Sequence, residues 1–369
     1  MPIYMDRHDV SEEVTAENVA QLHKQDLKIQ HKFGCRGLTY WFDEKRGTAF
    51  CLIEAPDKQT IEKMHNQAHG EVPNQIIEVD SKIVESFLGR IEDPENAQNA
   101  GLNIINDPAF RMVMVIGLEI ISLKKHGANK FISPLQKHNE SFIRILSRFQ
   151  GSVVKQNADY FLVSFESVTK AVLCALDLQS GFAELNNGID KDTINIKIGL
   201  SAGVPVTEKA SLFEDTIKSA ERMCNNVKHQ IVLSTEVKEL YKSENINVFI
   251  NNKSVFTLSP ADEKLLNLLI DYTERNWGNA NLNVDDFNRQ LGFSKSQLYR
   301  KMISVTGKSP NTFLKEYRLN EALKLLNKQT GNISEIAFET GFSSLSYFSK
   351  CFQNRYGLLP SDYLRTKRS

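Results

Sequence analysis

Cysteine is scarce in this 369-residue chain: five residues, odd in number and widely spaced. A disulfide framework needs paired cysteines, so the scarcity excludes a small secreted disulfide scaffold and fits a reduced, cytoplasmic protein. Long apolar runs are missing too. Nothing approaches the ~18–20 consecutive apolar residues that cross a bilayer, so no membrane partner is expected. The first residues lack the basic, apolar, small-residue order of a secretory signal. Net charge is also absent, because 45 Lys and Arg balance 45 Asp and Glu.

That balance hides a polarity. Residues 1–98 hold 11 basic against 18 acidic residues, and residues 280–369 hold 14 against 7. The head is therefore at −7 and the tail at +7. Five of the eight histidines, His8, His23, His31, His65 and His69, fall in the head. An acidic, histidine-rich head suits cations and a basic tail suits polyanions. Hydrophobic and charged contents of 41% and 24% are those of a soluble globular protein, and the length calls for two or three domains.

Polar, Asn-rich stretches at 89–108 and 243–254 read as linkers and divide the chain into 1–88, 110–240 and 260–369. The first two segments alternate strand and helix signals, the pattern of α/β sandwiches. In the first, "IYMD" and "GTAFCLIEA" read as strands, and two helical stretches each close on a glycine. In the second, 111–121, 152–165 and 193–203 read as strands, with helices at 133–149, 167–186 and 213–227. The third segment reads as consecutive short helices, the first opening with Ser259 as N-cap and Pro260 at the first helical position.

Helix-turn-helix patterning occurs twice in the third segment, in "VDDFNRQLGFSKSQLYRKMISVTG" and "ISEIAFETGFSSLSYFSKCFQNRYG". Gly292 and Gly341 supply the tight turn, and "GF-S" opens each second helix. Leu298 and Met302, then Leu345, Phe348 and Phe352, mark the expected buried sides. These motifs, with the closing "YGLLPSDYLR", resemble the DNA-binding domain of the AraC/XylS family of bacterial transcription regulators. The resemblance implies two recognition helices in successive major grooves of double-stranded DNA. Position by position, it places Ser296, Gln297, Tyr299 and Arg300, then Ser346, Tyr347 and Lys350, toward the groove.

In the middle segment, Glu119 and Asp159 each stand near a strand end, where paired carboxylates can hold Mg²⁺, and Arg222 on a helix can clamp phosphate. The order of "VMVIGLEIISL", "GSVVKQNADYFLVSF" and "LFEDTIKSAERMCNN" resembles class III nucleotidyl cyclases. The resemblance implies a ferredoxin-like fold, head-to-tail dimers and a possible nucleotide or ligand site at Glu119, Asp159 and Arg222. Departures are many. Glu119 replaces the first metal aspartate, and Ala158 replaces a glycine. Lys218 stands for the partner asparagine, and Val153 and Ser211 replace the purine-reading pair. Glu for Asp alone shifts a metal by about an ångström, worth on the order of 10²-fold in rate. A pseudoenzyme used for dimerisation or ligand binding is expected, not an enzyme.

In the first segment, Val19, His23, Asp26, Leu27 and Gln30 fall on one helical stripe, while His31 lies about 80° from His23 and is peripheral. A carboxylate on a packed stripe is costly unless paired or ligated. His65 and His69 are four residues apart on a helix, and Tyr4, Asp6 and His8 share one face of a strand. Cys51 reads as a small core residue. The set Asp6, His8, His23, Asp26, His65 and His69 suits Ni²⁺, Zn²⁺ or Cu²⁺ better than Mg²⁺ or Ca²⁺. "YMDRH", "FCLIEAP" and "MHNQAHG" resemble a small ferredoxin-like family, one branch of which binds nickel. The expectation is a multidomain α+β protein: two ferredoxin-like sandwiches, then an all-α double helix-turn-helix domain. It would regulate transcription as a homodimer answering to a metal ion or small effector. Two alternatives are a cyclase tethered to DNA and a constitutive DNA-binding protein whose α/β domains only assemble it.

Overall fold

The computed structural model describes residues 1–94, 101–120, 132–157, 160–185, 194–245 and 255–368. Its first domain runs β1 (Ile3–Asp9), α1 (Ala16–Ile29), β2 (Arg36–Asp43), β3 (Thr48–Glu54), α2 (Lys58–Ala68), β4 (Gln75–Val79) and α3 (Ser81–Leu88). Thr15 starts α1 with a capping box shared with Asn18, and Asp57 caps α2. The four strands form an antiparallel sheet in the order β2-β3-β1-β4, the ferredoxin-like arrangement. Alternation sends Tyr4 and Cys51 toward α1 and α2, and Met5, Phe50 and Leu52 to the opposite face.

The second domain repeats this plan and extends it. It runs β5 (Arg111–Ile120), α4 (Ile132–Arg148), β6 (Ser152–Gln156), β7 (Tyr160–Phe165), α5 (Val168–Leu185), β8 (Ile194–Gly203), α6 (Glu214–Asn226), β9 (Ile231–Leu233), α7 (Thr235–Glu244) and β10 (Val255–Thr257). Sheet order is β10-β9-β8-β5-β7-β6, so the inner β8-β5-β7-β6 matches β4-β1-β3-β2 of the first sheet. Two expectations are corrected here. Residues 152–165 are not one strand but two, β6 and β7, paired antiparallel. The second domain does not stop at 240, since β10 pairs in parallel with β9 and carries the sheet to Thr257.

The two sheets pack face to face. Met5, Trp41, Phe50, Leu52 and Ile77 meet Val113, Val115 and Leu162 in one core, with Phe87 of α3 at its side. Each large side chain so buried contributes about 1.5–3 kcal/mol. Alternate residues of β5, Met112, Met114 and Ile116, face the other way into the core under α4 and α5. The stretch expected as the first linker is partly docked. Asn103 O accepts from Tyr40 Oη at 2.6 Å, Ile105 N donates to the same hydroxyl at 2.8 Å, and Arg90 stacks over Trp41 at 4.4 Å.

The third domain comprises α8 (Pro260–Asn276), α9 (Val284–Leu291), α10 (Lys295–Thr306), α11 (Pro310–Lys328), α12 (Ile333–Glu339), α13 (Leu345–Tyr356) and α14 (Pro360–Arg368). Ser259 caps α8 ahead of Pro260, as the sequence implies. α9–α10 and α12–α13 are the two helix-turn-helix units, bridged by α11. Gly292 and Gly341 both have positive φ, +71° and +77°. At Gly341 a Cβ would also lie 2.7 Å from the Trp277 carbonyl oxygen, so the turn has no room for a side chain.

Candidate metal centre and nucleic-acid interface

Among the described residues, two groups of ligand-type side chains lie side by side between β1, β3 and the two helices: Asp26, His65 and His69, and Asp6, His8 and Cys51. β1 projects Asp6 toward the helices and pairs it in register with Cys51, whose amide donates to Asp6 Oδ1 at 2.9 Å. α2 delivers His65 from its last turn and His69 at its C-cap, where the backbone has already left the helix. α1 delivers Asp26.

His65 joins the groups. Its Nε2 donates to Asp6 Oδ2 at 3.0 Å, and its Nδ1 lies 3.1 Å from Asp26 Oδ1. Burial disfavours a charged imidazole here, but the two carboxylates outweigh it and push the His65 pKa up to about 10. Burial likewise works to raise Asp6 and Asp26. For Asp6, His8 and His65 overcome it; for Asp26, His65 and His69 do, so both carboxyls sit below their usual range. The Cys51 thiol, fully enclosed beside Asp6, is pushed well up. His65 thus stands between the two carboxylates, bonded to Asp6 and close to Asp26.

The donor geometry fits a metal ion. His65 Nδ1, His69 Nε2 and Asp26 Oδ1 form a triangle with edges of 3.1, 3.2 and 3.2 Å. Donors around a tetrahedral ion with bonds of about 2.0–2.1 Å are spaced by about 3.3 Å. Asp26 Oδ1 approaches both rings off their hydrogen-bonding directions and is left without a hydrogen bond, a buried orphan acceptor. His69 Nδ1 accepts the Glu71 amide at 3.1 Å, which leaves Nε2 as its proton-bearing atom, so ligation through Nε2 requires that proton to leave.

Not every expected ligand joins. His23 is buried but belongs to neither group. Its ring lies 4.9 Å from that of Tyr40, its Nε2 has no hydrogen-bond partner, and burial holds its pKa down. His31 is exposed, outside both groups. Cys51, read from sequence as core filler, stands at the edge of the cluster. Its register opposite Asp6 is the signal that would have found it, and register is set by the sheet.

On the third domain, Ser296, Gln297, Tyr299 and Arg300 on α10, and Ser346, Tyr347 and Lys350 on α13, are all exposed. Leu298, Met302, Phe348 and Phe352 are buried behind them. Leu345, expected on the buried side, is 40% exposed instead, because it opens α13 before the helix reaches the core. Gln297 is partly committed: its Oε1 accepts the Ser294 amide at 3.0 Å in a capping box. Its Nε2 remains for another partner.

Of the residues expected to hold a nucleotide, Glu119 and Arg222 are each engaged by the third domain. Glu119 Oε1 accepts from Arg355 Nη2 of α13 at 2.7 Å. Arg222 donates to Asn267 Oδ1 at 2.8 Å and pairs with Asp271 of α8. Each side chain is committed to a different helix of the third domain. Asp159 lies outside the described residues. Lys218 pairs with Glu214, one turn away on α6.

Comparison with known proteins agrees with this division. Residues 288–366 match the family model of a helix-turn-helix domain, and residues 4–79 match that of the nickel responsive protein SCO4226-like family. The C-terminal domain is an AraC-type helix-turn-helix domain and the N-terminal domain is SCO4226-like. The regulator MtrA of Neisseria gonorrhoeae is 32% identical over 99 residues, 27% of this chain and 31% of that protein. A protein named histidine kinase P4, of Formosa agariphila, is 27% identical over 362 residues, 94% of this chain and 24% of that one. The chain therefore spans about a quarter to a third of the length of these relatives. The solved structure of SCO4226 from Streptomyces coelicolor is 28% identical, covering 21% of this chain and 94% of its own, with a TM-score of 0.20. No helix among the described residues is long and apolar enough to cross a membrane.

Proposed function

We propose that the chain is a sequence-specific, double-stranded-DNA-binding transcription regulator of the cytoplasm, governed by a metal ion at its N-terminal domain. The observation that carries this reading is the pair of helix-turn-helix units, each presenting exposed polar residues from the N-terminal half of its second helix. That is the part of a recognition helix that meets base edges. Arg300 and Gln297 have the chemistry to read bases, while Lys350 suits a phosphate. The tail's excess of basic charge supplies the sequence-independent attraction.

The effector is nickel or another transition ion, held by Asp26, His65 and His69 with Asp6 and His8 beside them. The nickel-responsive relatives support this, and so do the 3.1–3.2 Å donor spacings. His23 is a reserve ligand. The middle domain is not an enzyme in this reading, since Glu119 and Arg222 are engaged by the third domain. The protein acts as a homodimer in which the ion favours one arrangement of two DNA-binding tails. For that, the ion must bind the two arrangements with different affinity.

The test is a DNA titration on a duplex selected by the protein from a random pool, with and without Ni²⁺, Zn²⁺, and cyclic nucleotides. A shift in affinity or oligomeric state with a metal alone supports the reading. No selected sequence removes the regulator assignment, and no response to any metal removes the metal sensor.

A further inference from the structure

The middle domain holds the two helix-turn-helix units from behind, and it does so at the C-terminal ends of both recognition helices. In the first unit, Lys228 N donates to Val305 O, in the last turn of α10, at 3.1 Å. Met223 and Val227 of the middle domain share a core with Met302 and Val305 of α10 and with Leu266 and Ile270 of α8. Arg222 adds its bonds to Asn267 and Asp271. In the second unit, Arg355 in the last turn of α13 reaches Glu119 at 2.7 Å. Glu119 lies near the end of β5, the central strand of the sheet. The middle domain thus contacts the C-terminal ends of both helices, while residues 296, 297, 299, 300, 346, 347 and 350 nearer their N-termini are exposed.

We infer that Glu119 is a positioning residue for DNA reading: through Arg355 it fixes the second recognition helix relative to the first, and so sets the spacing between two DNA subsites that the protein accepts. The inference rests on the DNA-reading function proposed above. Both units share apolar cores with the middle domain, the first through Met302 and Val305 and the second through Phe348, Phe352 and Tyr356. In the second, the Glu119–Arg355 pair sits at the end of the helix that must be aimed. With the pair broken, α13 keeps its apolar packing but loses the polar contact that fixes its C-terminal end against β5, so its angle to the first recognition helix is less sharply set. The reading half then reaches subsites at more than one separation. Glu119 itself lies in the middle domain, not on a recognition helix, so its replacement removes no proposed groove contact. The same argument applies to Arg222, but its loss also disturbs the core around α6 and α8.

The test uses the full chain and two duplexes: one selected by the wild-type protein from a random pool, and the same duplex with one base pair inserted between its subsites. The insertion turns one subsite by about 35° and shifts it by about 3.4 Å. Wild type, Glu119→Arg, Arg355→Glu and the exchanged pair carrying both substitutions are compared by their ratio of affinities for the two duplexes. Using the ratio cancels any uniform loss from changing Arg355 near DNA. The expected result is that each single variant loses about fivefold of the wild-type discrimination, the scale of one exposed ion pair, and that the exchanged pair regains it. Single variants that weaken both duplexes equally, or that discriminate as wild type does, overturn the inference. So does an exchanged pair that folds, by its circular dichroism and thermal transition, yet fails to regain discrimination. If the wild-type protein selects no sequence, the DNA-reading function fails and takes this inference with it.

Discussion

Asp6 and Asp26 are carboxylates in a place where an unpaired charge is expensive. The fold tolerates them because His65 sits between them, bonded to Asp6 and within 3.1 Å of Asp26. Removing one partner of such a set leaves the others uncompensated, a loss of about 3–5 kcal/mol when buried. His65→Ala is therefore expected to lower the stability of the N-terminal domain, seen as a fall in its denaturation midpoint, and to abolish binding of the ion in a metal-content measurement. Asp26→Asn is the milder variant. It keeps the shape and the hydrogen-bonding capacity but removes the charge, and is expected to weaken metal binding at least tenfold by calorimetry with less effect on folding. If Asp26→Asn binds Ni²⁺ as wild type does, the triangle with His65 and His69 is not the metal site. Much of this was legible from sequence. The i, i+4 spacing of His65 and His69 and the shared strand face of Asp6 and His8 placed four of the six expected ligands. His23, on the same helical stripe as Asp26, ends apart from both groups, because a helical wheel gives direction around an axis but not depth. Its ring ends beside Tyr40, on a strand that the pattern did not mark.

At the scale of elements, the recognition helices follow closely from local chemistry. Gly292 and Gly341 take the left-handed turn, Ser294 and Ser344 cap the next helix, and apolar spacing turns the polar face outward. Gly341→Ala combines an unfavourable φ with a close approach to the Trp277 carbonyl. It is expected to destabilise the third domain by about 1–3 kcal/mol in chemical denaturation. On the face itself, Arg300→Ala is expected to weaken binding by about 1–3 kcal/mol and relax preference at one base, whereas Lys350→Ala should weaken all sequences alike and lower the salt dependence. Titration over several salt concentrations separates the two roles. The strands were less legible. β2, the longest strand of its sheet, and β4, the shortest, take their places by pairing with β3 and β1. The pairing of β6 with β7 was hidden because 152–165 reads as one strand-like stretch with no glycine or proline to divide it.

At the scale of the molecule, two sheets that share the order of four strands close on each other, and their shared core joins the domain of the Asp–His cluster to the domain packed against the helix-turn-helix units. Phe50→Ala removes a large side chain from the centre of that interface. It is expected to cost about 3–5 kcal/mol and to turn a concerted thermal transition of the first two domains into two separate ones. A single unchanged transition would show that the interface does not couple them. The sequence by itself determined the kinds of parts: a basic double helix-turn-helix tail, two α/β sandwiches, and an acidic, histidine-rich head. These follow from periodicity, caps and residue chemistry, which act over a few residues. Tertiary structure alone decided which side chains meet. Glu119 and Arg222 have the chemistry of a phosphate site, yet contacts across 236 and 49 residues commit them to the DNA-binding domain. Pairings at that separation depend on how whole sheets and helices pack, and no local pattern in the chain encodes them.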